Sequence, residues 1–286
     1  IVVPDSVTYI GSGVFKGLNK LEEITLPFVG YTASSTGSSG VFGYIFGYES
    51  SAYTGTTQQQ YESSYCKYYY IPQSLRTVTI TKDTSIPYGA FYNCSFLTEI
   101  NIPDTVMSIA DRAFYNCSGI KEINIPEGVK TISPSTYSGC SNLLEINLPS
   151  TVTNIGNHAF YNCEDITSIV IPDAVTTVSD SAFRNCTSLK DVDFSTSLKT
   201  IGSYAFSGCI ALTEIDLPET LTTINDYAFQ NCSGITEIVV PDTVTSIGRG
   251  AFYGVDKLEE ITLPFVGCTA SSTGSSGVFG YIFGYE

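Results

Sequence analysis

A repeat solenoid is the fold class that this sequence predicts, and three regularities predict it. Seven of the nine cysteines, Cys94, Cys117, Cys140, Cys163, Cys186, Cys209 and Cys232, stand 23 residues apart without a slip. A proline column runs through Pro4, Pro27, Pro103, Pro126, Pro149, Pro172, Pro218, Pro241 and Pro264, with Ser195 in its place once. An aromatic column runs through Phe15, Phe91, Phe114, Tyr137, Phe160, Phe183, Phe206, Phe229 and Phe252. A fixed period of about 20–50 residues means that one short unit, unable to bury its apolar face alone, stacks on its neighbours.

From Leu97 the unit reads L-T-E-I-N-I-P-D-T-V-M-S-I-A-D-R-A-F-Y-N-C-S-G, and ten such units begin at Leu21, Leu75, Leu97, Ile120, Leu143, Ile166, Leu189, Leu212, Ile235 and Leu258. Ile100 and Ile102 alternate with polar residues, the period of two of a strand. Pro103 has no N–H to donate and stops the ladder. Val106 to Ile109 forms a second short extended stretch. The segment x-x-A-F-x-N/G then suits a single tight helical turn. Its last residue is Asn93, Asn116, Gly139, Asn162, Asn185, Gly208 or Asn231. Only Asn and Gly interchange there, the preference of a left-handed C-cap, so φ > 0 is expected at each. The Leu, Ile, Val, Ala, Phe and Cys columns are the expected core.

Two longer regularities are superimposed. Residues Leu21–Glu49 and Leu258–Glu286 are one string, differing only at Tyr31 against Cys268, and Ile1–Pro4 matches Ile238–Pro241, a super-period of 237 residues. The expected organisation is one solenoid over 1–286 with an insert at 28–74 and a truncated second copy of that insert at 265–286. Both ends look trimmed from something longer. The insert holds nine of the twenty tyrosines. Its T-A-S-S-T-G-S-S-G stretch reads as a flexible loop.

A net charge of −15 argues against nucleic acid and anionic membrane surfaces as partners. No run approaches the roughly 18 apolar residues of a membrane span, so no membrane insertion is expected.

Four groups of side chains are candidates for function. The cysteine ladder lacks the short spacings of metal motifs. Its column also accepts Leu18 and Val255, so buried free thiols are expected; Cys66 and Cys268 lie outside it. His158 stands alone in a variable column, which reads as incidental surface. A carboxylate column comprises Glu23, Glu99, Glu122, Glu145, Asp191, Glu214, Glu237 and Glu260. It is either an acidic stripe for a basic protein surface or for cations, or a solvated edge that deters aggregation, the last being favoured. Beside it run Asn101, Asn124, Asn147, Asp193 and Asp216, able to bind sugar or peptide groups but as readily a soluble surface. The insert tyrosines, Tyr44, Tyr48, Tyr53, Tyr61, Tyr65, Tyr68, Tyr69 and Tyr70 with Tyr31, are the best candidates. They form either a binding surface or a satellite core against the coils. No catalytic residue, metal site or cofactor is expected, because eight equivalent carboxylates single out no acid and no nucleophile.

The pattern L-x-x-I-x-L-P-x-x-V-x-x-I-x-x-x-A-F-x-x-C resembles the BspA-like, or treponemal-type, leucine-rich repeat over nearly the whole chain outside Phe28–Ser74. The resemblance implies a right-handed leucine-rich-repeat superhelix with short parallel strands and short helical turns. It also implies a secreted or cell-surface attachment role in host-associated bacteria and some protozoa, with a host or microbial surface protein or glycan as partner. It brings no catalytic residues. The chain is expected to act as a monomer, and the alternative role is a structural spacer presenting other domains.

Overall fold

The computed structural model describes residues 1–48, 56–61, 67–273, 277 and 279–284. The fold is a parallel-strand solenoid, and the chain divides into two compact units, Ile1–Leu143 and Leu144–Glu286.

In the first unit, Glu23–Leu26, Thr77–Ile80 and Glu99–Asn101 pair side by side in parallel. Ile24, Val78 and Ile100 point inward, while Glu23 and Glu99 face solvent, as the period of two requires. A second ladder joins Ser85–Ile86 to Ser108–Ile109. In the second unit, Ser168–Val170 pairs with Asp191–Asp193, and Glu237–Val239 with Glu260–Thr262. There the second ladder runs through Asn154–Ile155, Thr177–Val178, Thr200–Ile201, Thr223–Ile224 and Ser246–Ile247. In the second unit Glu214–Asp216 forms no strand, so Asp191–Asp193 and Glu237–Val239 belong to separate sheets.

The expected helical turn is not a helix. Ala182, Arg184 and Cys186 donate their N–H to the carbonyls of Ser179, Ser181 and Phe183, three residues back. The amides between them, of Ser181, Phe183 and Asn185, donate instead to Ser203, Ala205 and Ser207 of the next coil, each at 2.8 Å. Left-handed residues make this alternation possible. The seven Asn/Gly caps all have φ between 55° and 79°. A second left-handed column, not foreseen, contains Arg112, Ser135, His158, Ser181, Tyr204 and Tyr227, with φ between 55° and 58°. These side chains cost free energy there, and the bonds to the next coil hold them in place.

Stacking seals the core. In the first unit the rings of Phe91, Phe114 and Tyr137 lie 5.5 Å apart and within 5° of parallel. In the second, Phe160, Phe183, Phe206, Phe229 and Phe252 stack among themselves at 5.2–5.9 Å and within 10° of parallel. Each is fully buried, worth roughly 1.5–3 kcal/mol. The cap asparagines form a side-chain ladder: Asn116 Nδ2 donates to Asn93 Oδ1 at 3.0 Å, and Asn185 Nδ2 to Asn162 Oδ1 at 2.9 Å. Among the described residues no helix is long and apolar enough to cross a membrane.

Candidate functional site

The insert leaves the first coil after Leu26, and its root, Phe28 and Val29, is buried. The Ser/Gly/Thr stretch, expected to be a flexible loop, is folded into hydrogen-bonded turns. Tyr31 N–H donates to Ser39 O at 2.8 Å, Thr32 N–H to Ser35 Oγ at 2.9 Å, and Gly37–Ser39 forms one turn of 3-10 helix. A second 3-10 turn, Phe42–Phe46, buries Phe42, Ile45 and Phe46. Phe42 packs 5.2 Å from Phe91 and so prolongs the aromatic column into the insert.

An antiparallel hairpin, Thr56–Tyr61 with Lys67–Pro72, covers this turn. Gln59 is buried between them: its Oε1 accepts the Gly43 N–H and its Nε2 donates to Ala90 O at 2.8 Å. Tyr69 and Tyr70, expected among the ligand-facing rings, are buried instead. Tyr69 fills the space above Gly43, and its hydroxyl donates to Ser38 O at 2.8 Å. These two belong to a satellite core.

The other tyrosines divide differently. Tyr31 is 41% exposed and Tyr48 56%; Tyr44 and Tyr68 are half-buried. Tyr61 lies in the hairpin strand, while Tyr53, Tyr65 and Cys66 fall outside the described residues. Sequence reasoning missed one ring. Tyr9, in the coil before the insert, is 65% exposed and lies 6.1 Å from Tyr31, which is 5.9 Å from Tyr44, itself 6.3 Å from Tyr69. An aromatic run thus climbs from the satellite core to open solvent. The signal was available: in the second copy Tyr9 and Tyr31 become Ser246 and Cys268, a paired change at touching positions.

That second copy docks as the first does. Ile10, Gly13 and Phe15 donate their N–H to Tyr31, Tyr44 and Ile45 carbonyls; Ile247, Gly250 and Phe252 donate to Cys268, Tyr281 and Ile282. The backbone seat is common to both copies, while the aromatic run belongs to the first alone.

On the strand face Glu99 and Glu122 of the first unit and Glu145, Asp191, Glu214 and Glu237 of the second are exposed, as are Asn101, Asn124 and Asn147. Glu99 accepts bonds from Thr77 Oγ1 at 3.3 Å and Asn101 Nδ2 at 2.9 Å. Where Glu214–Asp216 forms no strand, a groove of about 270 Å³ opens among Glu214, Asp216, Glu219, Glu237, Val239 and Pro241. Among the described residues no three His, Cys, Asp or Glu side chains cluster to hold a metal ion, and no disulfide forms. His158 is exposed, its ring 5.7 Å from Tyr161.

The seven ladder cysteines are buried, and here the sequence reading was incomplete. The thiols of Cys117, Cys140, Cys186, Cys209 and Cys232 each donate to a Phe carbonyl of the preceding coil at 3.0–3.3 Å. Burial pushes Cys140, Cys186 and Cys232 up to about 12, and Cys94, Cys117 and Cys209 also well above the usual thiol range. A pKa raised that far lowers the reactive thiolate fraction about 10³-fold. Native protein at pH 8 is therefore expected to spare all seven from maleimide while half-buried Cys268 reacts, with every thiol labelled in denaturant. Native labelling of any ladder cysteine at the rate of Cys268, read by mass spectrometry, would contradict the sealed core.

Comparison with known proteins follows the same lines. The family model described as the BspA type leucine rich repeat region matches in six copies, at residues 1–38, 63–190 and 153–273. The chain is similar to a leucine-rich repeat protein of Bacteroides ovatus ATCC 8483 of solved structure, with 33% identity, a TM-score of 0.61 and 75% of this chain covered. It spans 65% of the length of that protein. A leucine-rich repeat protein of T. pallidum is 29% identical, covering 49% of this chain and 66% of its own, with a TM-score of 0.46. A leucine rich cell surface protein of Faecalibacterium prausnitzii A2-165 is 23% identical, covering 97% and 90%, with a TM-score of 0.38. No curated protein matches. The repeat, its core columns and these matches place the chain in the BspA-type leucine-rich repeat family.

Proposed function

We propose that this chain is a non-enzymatic binding scaffold of a bacterial cell surface, acting as a monomer and recognising a protein or glycan through the insert at 28–74. One observation carries the reading: beside an insert whose Phe28, Val29, Phe42, Ile45 and Phe46 are buried, Tyr9 of the preceding coil, Tyr31 and half-buried Tyr44 form a contiguous aromatic run that reaches solvent, with Tyr48 also exposed. Tyrosine gives a large amphipathic contact area at low entropic cost, which is why it is enriched in binding surfaces. The coils supply a rigid seat for it. The strand face, with its carboxylates and amides, is the other surface available to a ligand.

The test uses substitutions that the second copy already carries in kind. Tyr9→Ser with Tyr31→Ser keeps the backbone seat and removes the rings. Attachment to panels of host matrix proteins and glycans is expected to fall at least tenfold, since loss of a buried aromatic anchor costs about 2 kcal/mol or more. Unchanged attachment would remove the aromatic run as the site. A loss appearing only on charge reversal of Glu99, Glu122 and Glu145 would move the site to the strand face. Absence of any attachment by the unaltered chain would leave the spacer role.

A further inference from the structure

One buried carboxyl breaks the core pattern. The column filled by Val7, Val106 and Val129 in the first unit, and by Val152, Val175, Leu198, Leu221 and Val244 in the second, holds Asp83 in the coil that follows the insert. Asp83 is only 1% exposed. Its Oδ2 accepts the Val29 N–H at 2.7 Å, and its Oδ1 finds no hydrogen-bond partner among the described residues. Val29 lies two positions before Tyr31, at the root of the insert. The flanking backbone is tied to the same root: Thr81 N–H donates to Leu26 O at 2.9 Å and Lys82 N–H to Pro27 O at 3.0 Å. On the other side, Thr105 Oγ1 donates to Asp83 O at 2.7 Å.

We propose that Asp83 is a proton-operated latch, holding the root of the insert against the coils when neutral and loosening it when ionised. A neutral acid fits a dry site with one bonded oxygen, and an anion with an unsatisfied oxygen does not. The proton belongs on Oδ1, because Oδ2 is already accepting. The charged groups on the surrounding elements are Asp5, Lys82 and Asp104, all exposed. Lys82 Nζ donates to Asp5 O at 3.1 Å, and Thr81 Oγ1 to Asp5 Oδ1 at 2.6 Å, so these groups serve Asp5.

Burial raises the Asp83 pKa to about 7 from 3.8, opposed by the weaker pull of the Val29 N–H. With the root closed, Asp83 holds its proton up to about pH 7; with the root open, it releases it near pH 4. Closure is therefore favoured most below about pH 4. It weakens by up to about tenfold per pH unit toward neutrality and is level above, where both states are ionised. The consequence for presenting Tyr31 to a ligand rests on the function proposed above; the latch does not.

Hydrogen exchange on the full chain separates the two, since it needs no ligand. Protection of the Val29 amide, corrected for intrinsic exchange, is expected to fall about 10- to 100-fold from pH 5 to pH 7 in the unaltered protein. Asp83→Asn keeps an acceptor for Val29 but cannot titrate, and its profile is expected to be flat. The carboxyl ¹³C shift of Asp83 gives a second reading that requires no variant, with a midpoint well above the usual carboxylate range. Parallel profiles for the two proteins, or an Asp83 midpoint near 4, would overturn the latch. Attachment that ignores pH while the exchange profile holds would count against the aromatic run alone.

Discussion

Phe206→Ala is expected to lower the unfolding free energy by about 3–5 kcal/mol, the range for removing a fully buried ring. Phe206 has no exposed surface and stacks between Phe183 at 5.4 Å and Phe229 at 5.5 Å, with Phe194 against its edge at 5.6 Å. Three aromatic neighbours and a packed coil on each side leave the cavity little means of collapse. In a stack where each coil touches mainly its neighbours, the damage should also divide the array and lower cooperativity. Urea unfolding followed by far-UV circular dichroism measures both, as a shifted midpoint and a broadened transition. A loss below 1 kcal/mol would mean that the ring column is not the main source of cohesion.

A second large effect is expected at Gly208, for a backbone reason. Its φ is 79°, and an added Cβ would stand 2.5 Å from Asn185 Oδ1. Valine there combines the left-handed penalty with a β-branched side chain that has no room, so Gly208→Val should cost about 2 kcal/mol or more. Asn occupies the same column at Asn162 and Asn185, where each accepts or donates along the side-chain ladder. Gly208→Asn is therefore expected to cost under about 1 kcal/mol. The same unfolding measurement ranks them, and equal losses would remove the conformational explanation.

Much of the fold was legible because the repeat turns each structural demand into a column. The Asn/Gly caps announced their left-handed backbone, and the Leu18 and Val255 substitutions announced a buried thiol. The second left-handed column was not legible, since Arg112, Ser135, His158 and Tyr204 share no conformational preference. There, bonds to the next coil override residue type. The missing strand at Glu214–Asp216 was equally hidden, because T-E-I-D-L reads like every other strand. In the insert, composition could not separate Tyr69 and Tyr70 from Tyr44 and Tyr48. Burial of two adjacent tyrosines depends on the 3-10 turn beneath one side of the hairpin, a long-range contact with no period to reveal it. Asp83 was not legible either: its coil is one residue short, and only the pairing of Ile86 with Ile109 decides that Asp83 and not Thr84 stands in the valine column.

The alternating amides of the turn carry a consequence for how this molecule can change length. Odd and even positions there have different clients, one inside the coil and one ahead of it. Losing a single residue inside a turn would exchange the two sets in that coil, whereas gaining or losing a whole unit leaves the alternation of every turn as it was. The coil that is one residue short obeys this rule: Val78 and Ile100 are partners 22 positions apart, yet Ile86 and Ile109 are 23 apart. The missing residue was dropped in the bend between them, and the odd–even count was intact again before the turn began.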